Sequence, residues 1–305
     1  MSGAFARAWD HDLAYSFRRS PVTIAAAILT LACLAGALLA PWIAPHNPFD
    51  LASLNLNDSF KPPMWTADGV ATYPLGTDDQ GRDVFSTILY GARISLFVAV
   101  AAVFLAVVVG VLLGLLSGYI GGAFDALVMR VVDVQLSFPP ILIALLIDGV
   151  ARAVLPRDAH GGVLALLVLV IAIALADWVQ FARTVRGSTL VEKNKEYVQA
   201  ARVIGRHPLA IMVRHVLPNV MGPVLVIATI RFGLAIITEA TLSFLGVGVP
   251  PTTPSLGTLI RVGNDFLFSG EWWITVFPGL ALIVVVLSVN LLGDWLRDAL
   301  NPKLR

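Results

Sequence analysis

The sequence predicts an all-α polytopic membrane protein with six transmembrane helices and both termini in the cytoplasm. Three observations carry that expectation. Of 305 residues, 57% are hydrophobic and 13% charged, the latter about half the usual quarter, and mean hydropathy is +0.82. Six windows are apolar over the roughly 20 residues that a helix needs to cross a hydrocarbon core of about 30 Å. Lys and Arg are concentrated in alternate loops. So apolar a composition excludes a disordered chain, a nucleic-acid-binding domain and an ordinary water-soluble enzyme.

The elements follow in order. Residues 1–21 form a basic N-terminal tail, and 22–43 the first transmembrane helix, free of charge. Arg18, Arg19 and the later Ala35-Gly36-Ala37 invite a signal-peptide reading. The apolar run outlasts the 7–15 residues of such a segment, so a retained helix is expected. Segment 44–93 holds Pro45, Pro48, Pro62, Pro63 and Pro74 and is expected to be an irregular extracytoplasmic loop. Its run Gly76-Thr77-Asp78-Asp79-Gln80-Gly81-Arg82-Asp83 has the wrong spacing for a calcium loop, since Gly81 follows too soon. It is read as a turn feeding the second helix.

Residues 94–292 then hold five further spans, over 94–117, 131–150, 163–181, 220–245 and 274–292, with a long cytoplasmic loop at 182–219 and a tail at 293–305. With the N-terminus inside, segments 1–21, 118–130, 182–219 and 293–305 hold three, one, seven and three basic residues; segments 44–93, 151–162 and 246–273 hold three, two and one. That bias places both termini in the cytoplasm. The lone cysteine, Cys33, lies in an apolar run and offers neither a disulfide nor a metal site.

Catalytic signatures are missing. No Gly-Lys pair exists for a phosphate-cradling loop, so any ATP must be hydrolysed elsewhere. The five histidines form no H-E-x-x-H, and no serine sits in G-x-S-x-G. No metal ligand set is assigned.

Three spans carry polar residues, and each such charge costs a few kcal/mol unless it faces protein or water. Arg130 and Asp133, three apart, are expected to neutralise each other on one helix face. Pro139-Pro140 remove two backbone donors in mid-span, so a kink or break is expected there. Asp148 and Asp177 lie near span ends and are read as solvated at headgroup level. Arg231 and Glu239 are separated by about 12 Å along their helix, too far for a direct pair. With Pro139 and Pro140 they are candidates for the translocation path or the interface with a second permease.

In the cytoplasmic loop, Glu196-Tyr197-Val198-Gln199-Ala200-Ala201-Arg202-Val203-Ile204 reads as a short helix ended by Gly205. Tyr197, Ala200, Ala201 and Ile204 follow helical spacing and define one narrow apolar face. Spacing alone allows a helix lying on the protein's own cytoplasmic face as readily as a docking element.

The pattern E-Y-V-x-A-A-x-x-x-G, followed by His215-Val216-Leu217-Pro218-Asn219, resembles the EAA loop of bacterial ABC importer permeases. Gln199 stands where that motif usually has an acidic residue, and His215 where it has an apolar one. Further runs are similar to the dipeptide, oligopeptide and nickel subfamily: Leu75-Gly76-Thr77-Asp78, Leu89-Tyr90-Gly91-Ala92-Arg93, Arg183-Thr184-Val185-Arg186-Gly187, Leu242-Ser243-Phe244-Leu245-Gly246 and the tail Gly293-Asp294-Trp295 through Asn301-Pro302. The short N-terminal tail, the extended first external loop and this C-terminal tail look like the C-type dipeptide permease. The resemblance implies a type I importer fold in the bacterial inner membrane and an alternating-access mechanism. It implies a coupling helix formed by Glu196, Tyr197, Gln199, Ala200, Ala201, Ile204, Gly205, Leu217 and Pro218. Implied partners are a second homologous permease, two cytoplasmic ATPases that carry ATP and Mg, and an extracytoplasmic binding protein, within membrane lipid and without nucleic acid. Peptides, nickel chelates, glutathione and other small solutes stay open as cargo, and an ATP-independent secondary transporter is the more distant alternative.

Overall fold

A computed structural model describes residues 16–50, 54–154, 162–250 and 253–300. Among these the chain is helical, apart from turns, loops and one isolated β-bridge between Thr77 and Asp83. The helices are α1 (Pro21–Leu38), α2 (Ala40–Ile43), α3 (Val84–Ile120), α4 (Gly122–Leu136), α5 (Pro140–Val154), α6 (Gly162–Glu192), α7 (Glu196–Val203), α8 (Pro208–Ile211), α9 (Leu217–Phe244), α10 (Leu256–Asn264) and α11 (Trp273–Leu300). A π-helical stretch, Met212–Val216, joins α8 to α9. Most of the N-terminal tail and residues 301–305, with Asn301-Pro302, lie outside the described residues.

Among the described residues five helices are long and apolar enough to cross a membrane, and a sixth crossing exists if the bent pair α4 and α5 counts as one. The window expected over 131–150 is therefore not one straight helix. It breaks after Leu136 and resumes at Pro140, turned by 98°. Two consecutive prolines remove two backbone donors, and the residue before a proline is driven out of helical geometry.

Local chemistry sets the helix ends. Ser20 Oγ accepts the Thr23 N–H at 3.3 Å, with Pro21 in the first turn of α1. Asp83 caps α3 by accepting from the Ser86 N–H at 2.9 Å. That cap starts the helix ten residues before the apolar window, so α3, at 37 residues, is about 55 Å long and overshoots the hydrocarbon on both sides. Upstream, Asp78 and Arg82 fill the turn. Asp78 is buried and accepts from Arg82 Nε at 2.6 Å and from two backbone N–H groups. Trp273 Nε1 donates to the Thr77 carbonyl at 3.0 Å, which pins the loop to the start of α11.

The core is the seam between α3 and α6, the most extensive helix contact in the fold. Gly110, Gly114 and Gly118 lie along it. A Cβ on Gly110 would stand 2.4 Å from Phe181 Cβ, and one on Gly114 2.4 Å from the Ala182 carbonyl oxygen. Without a hydrophobic force between helices in lipid, such close approach supplies the packing. The start of the described chain meets the end of α11: Trp295 packs edge-on to Phe17 at 5.2 Å, and its indole N–H donates to Ser16 Oγ.

Candidate functional site

Helix α7 sits where the sequence places it. Glu196 opens it, Ile204 caps it, and Gly205 follows at φ +78°, a left-handed conformation suited to glycine. Its orientation differs from expectation. Val198 and Ala201 are buried against the body, whereas Gln199, Ala200, Val203 and Ile204 are exposed. The expected face of Tyr197, Ala200, Ala201 and Ile204 is thus split. Ala201 turns inward, and Ala200 and Ile204 turn to the cytoplasmic side.

Tyr197 fixes that rotation. Its hydroxyl donates to the Glu192 carboxylate at the end of α6 and accepts from Asn219 Nδ2, in the first turn of α9, at 3.0 Å. Asn219 Nδ2 also reaches the His215 carbonyl at 2.7 Å, and the His215 ring stacks over Tyr197. Burial and the neighbouring Glu192 carboxylate push the Tyr197 hydroxyl up to about 12. Leu217 and Pro218 are the first two residues of α9, directly after the π-helical stretch Met212–Val216.

Two further contacts join this region to α3. The Arg202 guanidinium lies 5.5 Å from the centre of the Tyr119 ring. Lys193 Nζ donates to the Gly118 carbonyl at 2.7 Å. Beside them, Arg186 forms a two-pronged ion pair with Asp125 at 2.5 and 2.6 Å, and Ser117 donates to the same carboxylate. Helix α7 is therefore held to the cytoplasmic ends of α3, α6 and α9 together.

The membrane-embedded charges correct several expectations. Asp133 pairs with Arg183 on α6 instead of Arg130. Helix α4 packs on α6, and Gln135 two residues further along bonds the Leu175 carbonyl at 2.6 Å, which turns this part of α4 toward α6. Asp177 is buried rather than solvated, and it accepts from Arg231 Nη1 at 2.9 Å across α6 and α9. Asp148 is also buried, and it accepts from Arg152 Nε at 2.5 Å. In a low-dielectric setting a charge persists where a partner compensates it.

Glu239 does not face a path or an exposed interface in this chain. It is wholly buried, and its two carboxylate oxygens accept from Ser95 Oγ at 2.6 Å and Ser243 Oγ at 2.7 Å. Arg231 and Glu239, eight residues apart, thus serve two separate contacts. Pro139 and Pro140 are exposed at the bend. Sequence reasoning missed the Gly110, Gly114, Gly118 seam, although its four-residue spacing is a readable signal for close helix approach.

This architecture has known counterparts. Residues 110–305 match the binding-protein-dependent transport system inner membrane component family. The chain belongs to that family.

The permease is 38% identical to the di/tripeptide transport system permease protein DppC of Pseudomonas aeruginosa over 95% of this chain and 91% of the relative. It is 40% identical to the glutathione transport system permease protein GsiD of Shigella flexneri, over 97% of this chain and 91% of the relative. Among solved structures, an inward-facing form of the MetNI methionine ABC transporter superposes with a TM-score of 0.54 at 18% identity, covering 70% of this chain and 96% of that one. The likeness shows a shared type I permease fold. The protein is an inner-membrane permease component of a binding-protein-dependent importer.

Proposed function

We propose that this permease is one half of a heterodimeric transmembrane unit that imports di- or oligopeptides, driven by two separate cytoplasmic ATPase subunits and fed by an extracytoplasmic binding protein. ATP and Mg belong to those ATPases, in keeping with the lack of any Gly-Lys pair in this sequence. The observation that carries the reading is the pose of α7: a short helix held on three transmembrane helices, with Ala200, Val203 and Ile204 turned outward as an apolar edge. A helix so held moves with whatever grips that edge, and it passes the movement to α3, α6 and α9. The bend at Pro139 and Pro140 is the joint at which the core deforms, and the exposed face there lines the path or meets the second permease.

Peptide cargo is supported by the di/tripeptide relative, and glutathione by the second relative; glutathione is itself a small peptide. The test is to purify the complex without crosslinking, identify the co-eluting chains, and measure which of dipeptides, tripeptides and glutathione stimulates ATP hydrolysis with the binding protein present. Peptide-stimulated hydrolysis with an ATPase in the complex is the expected outcome. Uptake by this chain alone in vesicles, with no ATPase, would instead support a secondary transporter.

A further inference from the structure

A groove of about 620 Å³ opens between α1 and the outer half of α3. Leu34, Leu38, Phe97, Val100 and Leu166 make its walls, with Phe49, Tyr90 and Arg93 at one end. We infer that this groove holds an anionic phospholipid of the outer leaflet, one acyl chain lying against the apolar walls and the phosphate on Arg93.

The depth of the groove supports this assignment. Arg93 lies nine residues into α3 and immediately before its uncharged stretch, so it stands at the outer boundary of the hydrocarbon. From Arg93 the groove runs inward past Phe97 to Val100, about 10 Å along the helix. Phe97 and Val100 are exposed along it. An apolar wall inside the bilayer ending in a polar mouth at headgroup level matches the layout of a phospholipid.

Charge points the same way. Among the described residues, Arg93 has no hydrogen-bond or ion-pair partner and no acidic residue lines the groove. Arg152 and Arg231, by contrast, each meet a carboxylate. A guanidinium at headgroup level that no protein carboxylate occupies is available to a lipid phosphate, which accepts its two parallel N–H donors. Thr253 adds a hydroxyl, shielded from solvent and without a partner, on the same lining. Phe49 and Tyr90 pack edge-to-face at 5.1 Å beside the mouth, an aromatic pair at interfacial depth. The inference uses only the membrane placement and is independent of cargo.

The test is native mass spectrometry of the intact complex titrated with phosphatidylglycerol or phosphatidylcholine. The expected result is preferential retention of phosphatidylglycerol, reduced about fivefold by Arg93→Gln and preserved by Arg93→Lys, which also controls for folding. Val100→Trp, which fills the inner end of the groove, should lower retention of both lipids. Equal phosphatidylglycerol retention by wild type and Arg93→Gln would overturn the proposal. Displacement of the lipid by inorganic phosphate would do the same, as would a disulfide between cysteines placed at Phe97 and on the second permease.

Discussion

Ser95 and Glu239, 144 residues apart in sequence, meet inside the membrane: the serine hydroxyl donates to Glu239 Oε2 at 2.6 Å while accepting the Leu256 N–H at 3.2 Å. One hydroxyl thereby ties α3, α9 and the start of α10 near the outer end of the bundle. Among the described residues the contacts to Glu239 come from serines and none from a cation, so the side chain acts as a hydrogen-bonding hub. Glu239→Gln should keep most of the network. Glu239→Ala should cost about 2–4 kcal/mol through a cavity and stranded serine hydroxyls. Thermal unfolding of the purified complex in detergent reads the difference, and equal melting of the two variants would refute the hub.

Asp177 and Arg231 form the second intramembrane tie. Removing either partner leaves an uncompensated charge at an expected cost of about 3–5 kcal/mol. Asp177→Asn with Arg231→Met should cost less than the sum of the single changes. A double-mutant cycle on the melting temperature measures that coupling, and additive effects would show the pair to be independent.

The glycine seam separates crowding from helix propensity. Gly114→Ala places a Cβ 2.4 Å from a backbone oxygen and should destabilise by about 1–3 kcal/mol. Gly187 lies in α6, the helix that forms the opposite wall, and a Cβ there would meet open space. Gly187→Ala should therefore be neutral or stabilising by about 0.5–1 kcal/mol. Comparable losses at both positions would contradict the seam.

Tyr197 gives a pH prediction with a defined sign. Its folded value of about 12 lies above the value near 10 of an unfolded tyrosine. Its contribution to holding α7 is fully present below about pH 10 and is lost as pH rises through about 12. Hydrogen-exchange protection in 196–205, taken relative to the base-catalysed intrinsic rate, should therefore fall over that range in the wild type. In Tyr197→Phe it should be low already at neutral pH, and unchanged protection in that variant would remove the role.

Much of this was legible in the sequence, for identifiable reasons. Apolar runs and basic loops report on the bilayer directly, so the spans and their direction could be read from composition. Pro139-Pro140 forecast the break because proline acts on its own backbone. The α7 helix was legible from Glu196 to Gly205, but not its rotation, which depends on Tyr197 reaching Glu192 and Asn219 in other helices. The partners of Asp133, Asp177 and Glu239 were misjudged for the same reason. Arg183, Arg231 and Ser95 lie at least 50 residues away from them in sequence, and spacing along one helix carries no information about a neighbouring one.

The central claim is that α7 carries movement between an ATPase and the bundle. The most direct measurement is the number of peptides taken up per ATP hydrolysed by the complex reconstituted with its binding protein, in wild type, Ala200→Trp and Gly205→Val. Ala200 is exposed and Gly205 has open space around it, so Ala200→Trp should leave membrane insertion intact, while Gly205→Val strains only the helix end. ATP hydrolysis should continue with uptake reduced at least about tenfold, the equivalent of about 1.4 kcal/mol of lost coupling. A wild-type ratio of uptake to hydrolysis in both variants would contradict the claim.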